Sequence, residues 1–119
     1  MIIDTVDSGI ICCYLDFTII LIKTAGIAGQ FIKDSNMKSF IFSMKNQDSY
    51  KIVNKDKAYK SVPGQGPIIG DGDIVLTNNG QNNFSNFPKS YQSPKIKKQT
   101  LTLKPYFNIN NYDVYKVSF

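Results

Sequence analysis

Apolar and polar positions along this chain alternate in short runs, and each run stops at a turn residue. Phe17 to Lys23 ("FTIILIK") is apolar and β-branched and ends at "TAGIAG", which predicts a buried strand followed by a glycine turn. Ser39 to Lys45 ("SFIFSMK") sets Phe40, Phe42 and Met44 against Ile41 and Ser43, the period of a central strand. "NQDS" then reads as a hairpin turn and Tyr50 to Asn54 ("YKIVN") as its returning strand. "KDKAYK" carries a turn or a single helical turn. Asp73 to Thr77 ("DIVLT") predicts a strand with Ile74 and Leu76 on one face. "NNGQNNFSNFPKSYQSPK" is rich in Asn, Ser and Pro and reads as irregular, pinned to the body by Phe84 and Phe87. Gln99 to Lys104 and Asn111 to Phe119 alternate at period two and close the chain as strands.

No stretch supports a helix longer than about three turns, and no internal repeat is present. Short strands separated by turn signals predict a mainly β (α+β) domain, a two-layer antiparallel β-sandwich with little peripheral helix. The composition agrees. The 119 residues fit one domain. All 14 basic residues are Lys and all nine acidic ones are Asp, so Arg and Glu are missing, as are His and Trp. Fewer strong helix formers and abundant Asn lower helix propensity, and abundant Ile and Tyr raise strand propensity.

The same absences narrow the chemistry. Without His there is no imidazole base, no Ser-His or Cys-His pair and no imidazole metal ligand. Without Arg there is no bidentate phosphate or guanine fork, and nucleic acid is not an expected partner. The net charge of +5 can serve an anionic surface, or it can be a solvated lysine surface, since most lysines are scattered singly. Cys12 and Cys13 are too few for a structural zinc site and have no other cysteine to pair with, which points to a reducing compartment. "GIICCYLDFTIILI" is interrupted by Asp16 and preceded by Asp4 and Asp7, unlike a signal peptide or membrane helix, so a soluble intracellular chain is expected.

"GQGPIIGDGDIVLTNN" (64–79) is the densest motif. A phosphate-cradling loop needs Lys-Ser/Thr after its last glycine and a helix beyond; this one leads into a strand. A calcium loop of the EF-hand kind ends on Glu, and only Asp71 and Asp73 offer carboxylates. The reading favoured is structural: Gly66, Pro67, Gly70, Asp71, Gly72 and Asp73, with Gly64 before them, bend the backbone ahead of a core strand. No cofactor and no metal is expected. Ser90-Tyr91 has Lys89 as its only nearby base, which makes a buried tyrosine with a backbone partner a better reading than a nucleophile. The cysteines have apolar or acidic neighbours, which favours packed thiols over redox sensors. Lys95, Lys97 and Lys98 form a basic cluster, either a charged strand edge or a contact for an anionic lipid or acidic partner.

Taken in order, "TIILIKT", the glycine turn, "SFIFSMKN", "YKIVNKDKAYK", "GPIIGDGDIVLTNN", "KSYQ" and "NYDVYKV" resemble the TLDc domain over roughly residues 15–119. Members of that family carry a Gly-Pro-x-Phe-Gly-Gly-Gly loop before an Asp-Leu/Ile strand, then a Ser-Tyr segment and a final Glu-x-x-Val-Tyr strand. Here the triple glycine is Gly70-Asp71-Gly72, Pro88-Lys89 replaces the glycine before Ser-Tyr, and Gln92 stands where an acid often follows. The stretch from Gly29 to Phe40 is short, and most of the helical region preceding the first strand is missing, as in a divergent minimal member or a fragment. The resemblance implies a single, non-enzymatic interaction domain linked to oxidative-stress protection and to regulation of the vacuolar-type proton pump. It also implies a cytoplasmic location at endomembrane surfaces, with pump subunits as the protein partner. Phe84, Phe87, Ser90 and Tyr91 are the candidate contact residues, and Lys95, Lys97 and Lys98 serve the alternative, an anionic-lipid or membrane-surface binding module.

Overall fold

A computed structural model describes residues 1–16, 30–62, 65–77, 81–92 and 100–115. Twelve strands are described: β1 (Ile2–Thr5), β2 (Ile10–Tyr14), β3 (Phe31–Ile32), β4 (Phe40–Ser43), β5 (Asp48–Ile52), β6 (Tyr59–Lys60), β7 (Ile68–Ile69), β8 (Ile74–Val75), β9 (Asn83–Phe84), β10 (Tyr91–Gln92), β11 (Tyr106–Phe107) and β12 (Ile109–Asp113). They form two antiparallel sheets of six strands, ordered β10-β5-β4-β2-β1-β12 and β11-β9-β8-β7-β6-β3. The helical content among the described residues is one 3-10 turn at Lys55–Lys57, started by the Asn54 side chain accepting the Asp56 N–H. The mainly β, two-sheet sandwich expected from the pattern is the fold observed.

Its core sits between the sheets. Ile3, Ile11, Cys13, Ile41, Tyr50, Ile52 and Tyr91 come from the first sheet, and Tyr59, Ile69, Ile74 and Phe107 from the second, in one buried cluster. The β4–β5 hairpin is present as expected, with Ser43 opposite Asp48 and a turn through Gln47 at φ 51°. β4 lies inside its sheet, and Ile41 and Ser43 are the residues it buries.

Several expectations are corrected. Gln99–Lys104 is not a strand over its described residues. The Leu103 N–H donates to Ser8 Oγ (2.9 Å) and the Thr102 hydroxyl to the Lys104 carbonyl (2.7 Å), local bonds that replace a ladder, and the strand resumes only at β11. β12 starts two residues before Asn111 and ends at Asp113, because its partner β1 begins at Ile2, directly opposite. The strand at Asp73–Thr77 is trimmed to β8: Thr77 turns its N–H to Asn83 Oδ1 (2.8 Å) instead of a ladder. Val75 is buried along with Ile74 and Leu76, so this strand is covered on both faces. The Asn-rich segment holds two short strands, β9 and β10, and is less irregular than its composition predicts. The hairpin β1–β2 has no counterpart in the pattern reading; it closes through Gly9 at φ 70° and the Ser8 N–H donating to Thr5 Oγ1 (2.9 Å). The Phe17–Lys23 strand and its glycine turn lie outside the described residues.

Candidate functional site

The glycine loop leaves β7, reverses, and enters β8 by way of two left-handed positions, Gly70 (φ 69°) and Gly72 (φ 95°). A Cβ at Gly70 would run into the Asp73 carboxylate, and one at Gly66 would lie 2.6 Å from the Leu76 carbonyl oxygen. Gly72 has room for a side chain, Asn86 Nδ2 being 3.6 Å from its virtual Cβ, so only its backbone angle calls for glycine. Pro67 contributes its carbonyl, which accepts the Leu76 N–H at 2.9 Å and fastens the two arms of the loop.

This reversal turns Asp73 into the protein. Its carboxylate has no exposed surface and accepts three consecutive backbone N–H groups, from Lys89 (2.8 Å), Ser90 (2.9 Å) and Tyr91 (3.2 Å). The donors form a cradle of the kind that holds an external anion, filled here by the chain's own side chain. Around it, Ser90 Oγ accepts the Asp71 N–H (3.1 Å), the Ser85 hydroxyl donates to the Asp73 carbonyl (2.6 Å), and the Asn86 N–H donates to the Gly72 carbonyl (2.9 Å). The Ser90 carbonyl accepts the Val53 N–H (2.7 Å), and the Tyr91 hydroxyl donates to the Ala58 carbonyl (2.9 Å), which also accepts the Gly70 N–H (2.9 Å). Three stretches remote in sequence are thus tied at one point: 53–58, 70–73 and 85–91. Burial pushes the Asp73 carboxyl above its ordinary value, and the N–H donors pull it back only in part.

The arrangement does not suit a cation. Asp71 lies outside, 3.3 Å from Lys57 Nζ and 44% exposed, while both oxygens of Asp73 face N–H donors. Among the described residues no group of three or more Asp or Cys side chains is gathered for a metal ion. Nor is Ser90 placed as a nucleophile: it has no exposed surface, and its oxygen already accepts a backbone N–H.

The other singled-out residues fall into different surroundings. Tyr91 is fully buried, and burial raises its phenol well above the usual range, as burial raises Tyr59 to about 12. Ser90 and Tyr91 therefore present nothing to a partner. Phe87 is half-buried against the core, its ring in a T-shaped contact 4.7 Å from Tyr50. Phe84 stays half-exposed on the outward side of β9, 6.1 Å from the ring of Tyr106, itself 69% exposed. Cys13 is buried, and burial pushes its thiol up to about 12; Cys12 points to the other side of β2 and is half-buried. Lys95, Lys97 and Lys98 lie outside the described residues.

Two anchoring residues escaped the sequence reading. Asp34 is buried and accepts the N–H groups of Asn36 (3.2 Å), Lys38 (2.9 Å) and Ser39 (2.7 Å). Burial acts to raise its carboxyl, but these donors and the Ser39 hydroxyl outweigh it, so it lies below the ordinary range. Its signal was the run of small polar residues after it, the mark of an Asx turn. Asn83, also without exposed surface, accepts the Thr77 N–H (2.8 Å) and donates to the Phe107 carbonyl (3.1 Å). Nothing in the sequence separates it from Asn82 or Asn86.

Neither the curated proteins nor the solved structures include a match to the chain. The family model of the TLDc domain matches residues 1–118, essentially the whole chain. The glycine loop and the Ser-Tyr segment, joined in space by Asp73, both lie within the matched residues, and the chain belongs to the TLDc domain family, an oxidation-resistance-type domain.

Proposed function

We propose that this chain is a non-enzymatic interaction domain that binds a protein partner, with subunits of the vacuolar-type proton pump as the expected one. The observation that carries the reading is the family match over residues 1–118. The surface supports it. Phe84 and Tyr106 stand together on the outward side of the second sheet, Phe84 within the Asn-rich segment. Exposed aromatics ringed by satisfied polar groups are what anchor protein contacts. Ser90, the one nucleophile singled out, is sealed, which favours binding over turnover.

Capture tests this. The purified, folded chain is expected to retain pump subunits from a lysate of its own organism, and hydrolase and peroxidase screens to stay at background. Turnover abolished by Ser90→Ala would replace the reading with an enzyme. The anionic-lipid alternative depends on Lys95, Lys97 and Lys98, and no structural observation favours it over the protein partner.

A further inference from the structure

The outward face of the first sheet is apolar along its middle, where an exposed antiparallel face is ordinarily polar. Directly opposed residues in antiparallel strands point to the same side. The register therefore sets Ser49, Phe42, Cys12, Ile2 and Asp113 in one row, Lys51, Phe40 and Tyr14 in the next, and Ile10, Asp4 and Asn111 on the far side of the first. Ile2 is 42% exposed and Phe40 36%, while Ile10, Cys12, Tyr14 and Phe42 are half-buried. Tyr14 stacks on Phe40 with ring centroids 5.4 Å apart. Strand charges differ in sign from side to side: Lys51 on β5, with Lys38 beside it across a shallow groove, against Asp4 on β1 and Asp113 on β12, while Asp16 accepts from the Tyr14 hydroxyl (3.2 Å).

We propose that this face is the contact between two copies of the chain, packed sheet to sheet about a two-fold axis that runs along β2. A partner bearing charge of one sign would be repelled at one margin. A second copy turned over about β2 meets neither repulsion, since β5 of each copy falls on β12 of the other and Lys51 lies one row, diagonally, from Asp113. The same operation sets Phe42 against the partner's Ile2 and leaves the two Cys12 residues facing each other at the axis. Strands ~4.8 Å apart make the β5–β12 face only about 20 Å wide. An interface of that width is small, so the dimer forms weakly and reversibly. It occupies the first sheet and leaves Phe84 and Tyr106 on the second sheet free, so it stands or falls independently of pump binding.

Sedimentation of the whole chain from roughly 5 µM to 500 µM should show a monomer–dimer equilibrium. Ile2→Lys should weaken it at least about tenfold, and Lys51→Asp likewise, with Asp113→Lys restoring association to the Lys51→Asp chain. An unchanged melting temperature for Lys51→Asp shows that the fold is intact. A short bismaleimide should join two copies through Cys12, lost in Cys12→Ser and kept in Cys13→Ser, whose thiol is buried. A chain that stays monomeric throughout that range overturns the proposal, whatever else the face captures. A dimer indifferent to both Ile2→Lys and Lys51→Asp, or never joined through Cys12, overturns it equally.

Discussion

Asp73 and Asp34 are both shut away from solvent, and each faces three backbone N–H groups, yet their carboxyls move in opposite directions. Burial raises both; at Asp34 the Ser39 hydroxyl and the turn N–H groups outweigh it, and at Asp73 burial wins. The consequence for stability follows from the sign. Asp34, lowered on folding, contributes stability fully present above its unfolded value near ~3.9 and lost as pH falls through its lower folded value. Asp73, raised on folding, contributes most below ~3.9, and that part is lost as pH rises through its folded value. Urea unfolding at about pH 3 and about pH 6 should therefore show the penalty of Asp34→Asn growing with pH and that of Asp73→Asn shrinking. Asp73→Ala leaves three N–H groups without their acceptor and should cost about 3 kcal/mol or more at either pH. Such anchors are hard to read from a sequence because burial is a tertiary property: one of nine aspartates and one of many asparagines look like their neighbours until the chain closes around them.

At the scale of elements, legibility followed local chemistry. The β4–β5 hairpin was readable because alternation, turn and return all lie within 16 residues, from Ser39 to Asn54. The strand expected at Gln99–Lys104 failed because Thr102 and Leu103 spend their hydrogen bonds on Lys104 and Ser8, the latter 95 positions away. The glycine loop was readable as a bend, whereas its partner, the Ser-Tyr segment, emerges only when Asp73 spans 16 to 18 positions to reach it. Two substitutions separate the reasons for the glycines. Gly70→Val meets both an unfavourable φ and the Asp73 carboxylate and should destabilise by roughly 1–3 kcal/mol. Gly72→Ala meets only the backbone angle and should cost about 1 kcal/mol. Calcium or magnesium should leave the melting temperature of both, and of the parent chain, unshifted; a metal-dependent rise abolished by Asp71→Asn would make the loop a cation site. Tyr91→Phe should cost about 1 kcal/mol in chemical unfolding, because the Ala58 carbonyl keeps its bond to the Gly70 N–H.

Among the described residues, the sandwich places its satisfied polar network in the interior and apolar groups on two outer faces, half-exposed Phe84 with Tyr106 on one sheet and Ile2 with Phe40 on the other. That division suits a domain that acts by contact. No described helix is long and apolar enough to cross a membrane. The sandwich was predictable from alternation and turn spacing; the outer faces were not, since which side of a strand meets solvent depends on the second sheet. The claim that the domain works by binding a protein is tested most directly by calorimetric titration of purified vacuolar-type pump subunits into the folded chain, beside a Phe84→Ser, Tyr106→Ser chain of unchanged melting temperature. The account predicts saturable binding to the parent chain and affinity lower by roughly tenfold or more in the double variant. No binding to a chain that unfolds cooperatively, and so is demonstrably folded, would contradict it.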